Sequence, residues 1–254
     1  MQIIVLAKLV PDLVEELIID DRGTALDPAW LRFKLNEFDD HAIEQAMLLK
    51  ESSGAQVTVM VPDMEGADDV LYTAAARGSD RMVKMRGEFE QLVNNHALAR
   101  ALAAVLHAQL PDLVLTGVQA HNDLDGALGP LLAGYLDLPY VGYVSGVRIE
   151  AGHVTVRKEY PAGLIAEMEV VLPAVLGIQS AGRPPGYVAF SKIRQAMKTT
   201  AIEELPAPEM DPSGGPLVER MYLPESGERA TMIVGTVDEV TARLLAIFQE
   251  QGVL

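Results

Sequence analysis

The sequence predicts an α/β fold: a parallel, doubly wound sheet with an antiparallel hairpin at one edge and an extended C-terminal tail. Three observations predict it. Short apolar runs alternate with helical patterns over residues 1–136, which is typical of right-handed βαβ units. Strand patterns then follow one another without helices over residues 141–178, which favours antiparallel strands at a sheet edge. From Gly182 onward, proline and glycine interrupt the sequence and indicate the tail.

The first part of the chain alternates strands with helices. Buried-type strands are predicted at residues 3–7, 57–61, 81–85 and 113–116, because each is a short apolar run bounded by turn residues. The first helix is predicted to begin after Asp39 or Asp40, either of which can cap its N-terminus, and to end before Gly54. Further helices are predicted over residues 65–77, 89–110 and about 126–136. Gly54 and Gly78 follow two of these helices as left-handed terminators.

The second part begins with a predicted hairpin made of strands 141–149 and 153–158, and a further strand is predicted at 170–178. Residues 237–251 form the last predicted element, an amphipathic helix. Thr236 and Glu239 have the spacing of a capping box at its start.

Composition excludes several classes of function. The 254 residues include 20 Lys plus Arg and 36 Asp plus Glu, a formal net charge of −16, which disfavours nucleic acid and anionic membranes as partners. The chain has no cysteine, so disulfides, thiolate nucleophiles and iron–sulfur ligation are excluded. The apolar runs are too short to span a bilayer, and the start lacks a signal peptide pattern. We therefore expect a cytoplasmic protein without membrane insertion.

No common catalytic motif is present. The five histidines are scattered without metal-ligand spacing, so no metal site is expected. The sequence also lacks the GxxxxGK[ST], GxSxG and GxGxxG patterns, which removes the usual support for P-loop, hydrolase and Rossmann-dehydrogenase functions.

The carboxyl ends of the predicted strands remain as candidate binding positions, because open parallel sheets bind ligands there. They lie at Ala7-Lys8, Pro62-Asp63 and the polar stretch 117–125. That stretch leads into a helix N-terminus and has two interpretations: a phosphate cradle, or an ordinary βα loop whose aspartates cap the helix.

Two further segments have open interpretations. Residues 36–40 form either a helix cap with Phe38 as a hydrophobic staple, or a site where Phe38 contacts a bound ring system. Residues 187–194 place large apolar side chains in a segment flanked by proline and glycine. That segment either contacts a partner or is buried under the tail.

Six motifs in order resemble the beta subunit of electron transfer flavoprotein. They are VLAK at 5–8, NEFD at 36–39, TAAARGSD at 73–80, PDLVLTGVQA at 111–120, LPAV at 172–175 and ERA at 228–230. The resemblance covers essentially the whole chain. It implies an adenine nucleotide alpha hydrolase-like sheet. It also implies three regions: an α/β nucleotide-binding-type domain (1–182), a partner-recognition loop and helix (183–200), and a C-terminal arm and helix that packs on an alpha subunit (201–254).

The resemblance implies an electron carrier rather than a catalyst with its own active site. The chain would form a heterodimer with an alpha subunit that holds most of a FAD. It would carry electrons from flavin-dependent dehydrogenases towards a membrane quinone reductase. It would also bind a structural AMP or, in bifurcating members of the family, a second FAD. The implied cofactor-binding residues are Leu6, Ala7, Asn36, Phe38, Asp39, Pro62, Gly117, Gln119, Ala120, Asp123, Gly126, Ala127 and Leu128. The implied partner-binding residues are Glu159, Phe190, Ser191 and Ile193.

The chain departs from the family pattern at two places. Ala127 and Leu128 stand where the family has Gln and a Thr or Val, and a lost hydrogen bond to a charged group weakens binding by about tenfold or more. We therefore expect weak AMP binding. Phe190 and Ser191 replace an anchoring Leu and the Pro after it, so we expect a cognate dehydrogenase other than a standard acyl-CoA dehydrogenase.

Two other functions are compatible with the same sheet. One is a stand-alone module that binds an adenine nucleotide as a sensor. The other is a scaffold beta subunit inside a larger dehydrogenase complex, with its own nucleotide site lost.

Overall fold

A computed structural model gives the fold. It describes residues 1–87, 89, 94–108, 110–124, 127–224, 227 and 230–254. The chain divides into two units, Met1–Arg220 and Met221–Leu254.

The described residues form eleven strands and six α-helices. The strands are β1 Gln2–Leu6, β2 Leu9–Pro11, β3 Phe33–Leu35, β4 Gln56–Pro62, β5 Arg81–Arg86, β6 Leu113–Gly117, β7 Tyr140–Glu150, β8 His153–Glu159, β9 Ile165–Val171, β10 Ala174–Ile178 and β11 Ile202–Pro206. The helices are α1 Glu37–Ser53, α2 Ala67–Arg77, α3 Asn95–His107, α4 Leu128–Leu136, α5 Phe190–Thr199 and α6 Val237–Glu250.

Nine strands make one sheet in the order β11-β5-β4-β1-β6-β10-β7-β8-β9. Every neighbouring pair from β11 to β7 is parallel, whereas β7, β8 and β9 pair antiparallel. The predicted fold class is confirmed, including the antiparallel edge. Strands β2 and β3 form a separate antiparallel pair directly after β1.

Two hydrophobic layers cover the two faces of the sheet. Alternate residues of β1 point to opposite faces, so that Ile3 and Val5 pack with α1 and α2, whereas Leu6 packs with α3 and α4. The central parallel strands β1, β4, β6 and β10 are therefore buried on both sides, which explains why they are continuous apolar runs in the sequence.

The start of α1 differs from the prediction. Asn36 is the N-cap and makes no side-chain capping bond. The prediction that Asp39 or Asp40 caps the helix was wrong, because both carboxylates have partners outside the first turn. Asp39 accepts hydrogen bonds from the ends of β1 and β6, and Asp40 forms an ion pair with Arg77 of α2 at 2.5 Å.

Three other elements differ from the sequence pattern. The predicted strand at 170–178 is two strands, β9 and β10, separated at Leu172 and Pro173, because proline has no N–H to donate to a ladder. Helix α3 begins at Asn95 with Asn94 as its cap. The start predicted for it at residue 89 precedes residues 90–93, which lie outside the described part of the chain. Strand β11, which no sequence pattern indicated, adds to the edge of the sheet beside β5.

The second unit contains α6. The predicted capping box is confirmed: the Thr236 hydroxyl accepts from the Glu239 N–H at 3.4 Å, and the Glu239 carboxylate accepts from the Thr236 N–H at 2.8 Å. Among the helices of the described residues, none is long and apolar enough to cross a membrane.

Candidate functional site at the carboxyl edge of the sheet

The carboxyl ends of β1, β4 and β6 meet at one edge, because these strands are parallel neighbours. The polar segment 118–124 follows β6 there, and Lys8 lies two residues after the end of β1. The first turn of α1 lies against the same edge through Asp39. This edge is the candidate site.

Asp39 joins the ends of two strands. Its side chain is buried, and its two carboxylate oxygens accept from the Gly117 N–H at 2.6 Å and from the Lys8 N–H at 3.0 Å. A Cβ atom built on Gly117 would lie 2.5 Å from Asp39 Oδ1 and 2.7 Å from Phe38 Cβ. Only glycine at 117 lets the first turn of α1 approach the strand end this closely.

Burial raises the pKa of Asp39 from 3.8 to about 6, against the opposing effect of the hydrogen bonds from Lys8 and Gly117. With a pKa of about 6, the Asp39 carboxylate is mostly ionised at neutral pH. Its pKa stays above 3.8 because the two N–H groups do not fully replace the hydration that the carboxylate loses on burial. Both oxygens are already used by the chain's own backbone.

Asn36 holds the segment after β6. Its side-chain amide donates to the Gln119 carbonyl at 2.9 Å, and its own N–H donates to the Lys8 carbonyl at 3.1 Å. Asn36 is buried. Its polar atoms therefore fix the distance between the end of β1 and segment 118–124.

A second set of contacts centres on Asp123. Oδ1 accepts from Lys8 Nζ at 2.5 Å and from Asn95 Nδ2 at 2.8 Å, and Oδ2 accepts from the Ala120 N–H at 2.7 Å. The side chains of Lys8 and Asp123 are only 13% and 8% exposed. In the sequence, Lys8 is recognisable as a strand end and as part of the VLAK motif, but no pattern indicates Asn95. A lysine directly behind a buried strand is the signal that could have identified Lys8.

The other sequence-predicted residues of this edge have varied surroundings. Leu6, Ala7, Pro62, Ala120 and Leu128 are buried, Phe38 and Ala127 are half-buried, and Gln119 is exposed. Gly126 lies outside the described residues, as does Asp125. Among the described residues, no cluster of three or more potential metal ligands is found.

The segment that leads into α5 is anchored on α1. The buried Glu44 carboxylate accepts from Arg183 Nε at 2.5 Å and from the Gly186 N–H at 3.1 Å. Arg183 also forms a bidentate ion pair with Glu51 at 2.7 and 2.9 Å. Residues 183–186 are therefore held by a charged network on a core helix, although no sequence pattern indicated this anchor.

Helix α5 packs on α2 and exposes aromatic surface at its start. Phe190 is 65% exposed, with the Arg194 guanidinium 5.1 Å from its ring centroid, and Tyr187 is 92% exposed. Ser191 is exposed and Ile193 half-buried. Phe190, Ser191 and Ile193 thus share one helix. Glu159 does not join them, because it ends β8 in the antiparallel edge.

Comparison with known proteins identifies the family. Residues 29–210 match the model of the electron transfer flavoprotein domain. The chain is similar to the electron transfer flavoprotein subunit beta of Methylophilus methylotrophus, with 33% identity over 98% of both chains. It is also similar to the mitochondrial electron transfer flavoprotein subunit beta of Oryza sativa subsp. japonica, with 29% identity over 96% of this chain and 97% of the relative. A third relative is the electron transfer flavoprotein subunit beta of Mycobacterium bovis, with 29% identity over 77% of this chain and 76% of the relative. The chain belongs to the electron transfer flavoprotein family, among its beta subunits, and the role of that family is electron transfer.

Proposed function

We propose that this chain is the beta subunit of a heterodimeric electron transfer flavoprotein. With an alpha subunit that holds most of the FAD, it carries electrons from flavin-dependent dehydrogenases towards a membrane quinone reductase. Membership of the family supports the electron-transfer role, and the beta-subunit names of the relatives support an alpha partner. The flavin supplies the redox chemistry when it is bound, while the protein supplies position and electrostatics.

The exposed aromatic start of α5 carries the proposal. A large apolar side chain that projects from a rigid base is the kind of residue that fills a pocket on a partner. Phe190 has this arrangement, because the residues before it are held by Arg183 on Glu44 and Glu51. The anchor therefore enters a partner's pocket at a small cost in conformational entropy.

The positive charge of the segment around α5 indicates what kind of partner surface it binds. Residues 187–201 contain three Lys or Arg and no Asp or Glu, in a chain whose net charge is −16. A cationic and aromatic segment on an otherwise acidic protein favours an acidic partner surface around an apolar pocket, because complementary charges steer encounter. We propose that this surface binds the electron-donating dehydrogenase. Glu159, which the resemblance implies as a partner contact, lies on β8 and not on α5, so we propose it as a separate contact outside this cationic surface.

The carboxyl edge fits a supporting contact with FAD. Phe38, a half-buried aromatic side chain at this edge, suits an apolar contact with the flavin ring. Asn36 and Asp39 position that edge, because their polar atoms bind the chain's own backbone. These residues complement a flavin that is held mainly by another subunit.

The C-terminal arm is proposed to contact the alpha subunit. Strand β11 belongs to the sheet, so we place the arm at Met221–Leu254. Helix α6 carries Val240, Leu244 and Phe248 at the spacing of one helix face, and an apolar face of this kind suits a subunit interface.

Co-expression with the neighbouring gene product tests the proposal. A yellow heterodimer with a stoichiometric FAD is expected, and anaerobic mixing with a reduced flavin-dependent dehydrogenase should bleach its flavin absorbance. A colourless, stable protein that binds adenine nucleotide on its own would contradict the proposal and favour the sensor module. Recovery only inside a larger complex would favour the scaffold subunit.

The substitution Phe190→Ala tests the docking surface. We expect the second-order rate constant for flavin reduction to fall by about tenfold, because loss of a buried aromatic anchor commonly weakens an interface by that factor or more. FAD content should stay unchanged. Phe190→Leu, which keeps an apolar anchor, serves as the matched control and should retain most of the rate. Equal rate constants for wild type and Phe190→Ala would refute this role of Phe190.

A further inference from the structure

Three hydrogen-bond donors converge on Asp123 at the carboxyl edge of the sheet. They are the Lys8 ammonium, the Asn95 side-chain amide and the backbone N–H of Ala120, at 2.5, 2.8 and 2.7 Å. A positive charge combined with amide N–H groups is the donor set that binds phosphate oxygens in nucleotide sites. In this chain the donor set surrounds a carboxylate of the protein itself.

The carboxylate is fixed in this position. Its side chain is 8% exposed and that of Lys8 13%, and the Asp123 N–H donates to the Ala120 carbonyl at 3.1 Å. An intramolecular carboxylate acts at a high effective concentration. A phosphate from solution would have to displace it, or lie beside it and meet repulsion between like charges.

The start of α4 does not supply replacement donors from its side chains. Ala127 is its N-cap and Leu128 its first residue, and neither side chain can donate a hydrogen bond. Among the described residues, the donor set suited to the phosphate of AMP is therefore already bound to Asp123.

We propose that Asp123 is a built-in substitute for a nucleotide phosphate, which occupies the site of Lys8, Asn95 and Ala120 so that this subunit folds without AMP. The inference rests on the proposed function, because the electron transfer flavoprotein family is what implies a structural AMP here. Asp123 then determines specificity: it keeps segment 118–124 in place and excludes a phosphate group from the donors of Lys8, Asn95 and Ala120.

Nucleotide content and binding test the inference on the flavin-containing complex. Acid extraction of the wild-type complex should release FAD and no AMP, and titration with AMP to about 1 mM should show no saturation. Asp123→Ala leaves the Lys8 ammonium without its carboxylate, so AMP should bind at least about tenfold more tightly than to wild type. Adenosine, which has no phosphate, should show no such gain.

Thermal unfolding gives a second measurement. AMP should leave the midpoint of wild type unchanged. The midpoint of Asp123→Ala should be lower, and AMP or inorganic phosphate should raise it again, because a ligand that binds only the folded state stabilises it. Asp123→Asn is the second variant if the alanine variant does not fold. The double variant Asp123→Ala with Lys8→Met should lose the gain in AMP affinity.

The matched control is Asp80→Ala. It removes another Asp–Lys pair, with Lys50, at the amino-terminal edge of the sheet, and should gain no AMP affinity. Stoichiometric AMP in the wild-type complex would overturn the inference without reference to any variant. A folded Asp123→Ala or Asp123→Asn that binds AMP no better than wild type would overturn it as well. Flavin content is read separately, so loss of FAD would count against the proposed function and not against this inference.

Discussion

The buried carboxylate of Asp39 makes stability depend on pH in a direction opposite to that of most acids. Burial raises its pKa from 3.8 to about 6 in the folded state. The unfolded chain therefore releases this proton at lower pH than the folded chain does. The contribution of Asp39 to stability is most favourable below pH 3.8 and is progressively lost as pH rises through 6. The substitution Asp39→Asn removes this titration.

The magnitude follows from the shift. About two pKa units correspond to about 3 kcal/mol between fully protonated and fully ionised folded protein, and about 2 kcal/mol of this falls between pH 4.5 and 7. An asparagine accepts from only one of the Lys8 and Gly117 N–H groups. The lost hydrogen bond lowers the free energy of unfolding of Asp39→Asn by the same amount at every pH. It therefore does not change how the difference between wild type and Asp39→Asn varies with pH.

Urea unfolding of both proteins across this range measures the effect. The free energy of unfolding of wild type, minus that of Asp39→Asn, should fall by about 2 kcal/mol from about pH 4.5 to pH 7. Asp12→Asn is the control: the hydrogen bond from the Lys34 ammonium lowers the pKa of Asp12 below its ordinary value of 3.8. Asp12 therefore titrates below this pH range in both the folded and the unfolded chain, and the difference between wild type and Asp12→Asn should stay nearly constant across it. A flat difference for Asp39→Asn too, or one that rises with pH, would refute the reasoning that burial outweighs the two hydrogen bonds.

Two further predictions concern packing around α1. Gly117→Ala should lower the free energy of unfolding by about 1–3 kcal/mol, because the added Cβ would clash with Asp39. Gly134→Ala is the control: a Cβ there, on α4, meets no atom within 4 Å, so this variant should be neutral or slightly stabilising. Chemical denaturation compares the two variants. Glu44→Gln should weaken the anchor of Arg183 and speed amide hydrogen exchange in residues 181–188, with a loss of about 1–2 kcal/mol in stability. Unchanged exchange there would show that the anchor does not order the segment.

The local pattern predicts most of the sheet because the parallel strands are buried on both faces. Their apolar runs and the helical spacing between them need no long-range information, and the capping box of α6 lies within four residues. Strand β11 shows the opposite case. Its sequence, IEELP, has exposed glutamates, and it is a strand because it pairs with β5 from far along the chain and because Glu203 meets Arg81 at 2.7 Å.

The sequence predicted that the candidate site lies at the strand ends, but it did not predict which side chains contact one another there. The position of Asp123 after a predicted strand identified it, whereas Asp39 was identified as a candidate helix cap and through the family resemblance. Their partners could not be read locally: Lys8 and Asp123 are 115 residues apart, and Asn95 and Asp123 are 28 apart. An ion pair between distant segments leaves no periodic pattern in the sequence. The carboxylate of Asp123, which the sequence analysis gave as a cofactor contact, is therefore seen only in the fold to pair with Lys8 of the same chain.

Helix α1 connects the two surfaces that the proposed function requires. Its first turn places Asp39 against the strand ends. Further along, His41 and Gln45 accept from the N–H groups of Ala181 and Gly182 at 3.2 and 3.3 Å, and Glu44 holds Arg183. One buried helix therefore sets the position of the carboxyl edge and of the segment before α5 together. Under the proposed function, α1 therefore supports both the edge proposed to contact the flavin and the segment that leads into the proposed docking surface on α5.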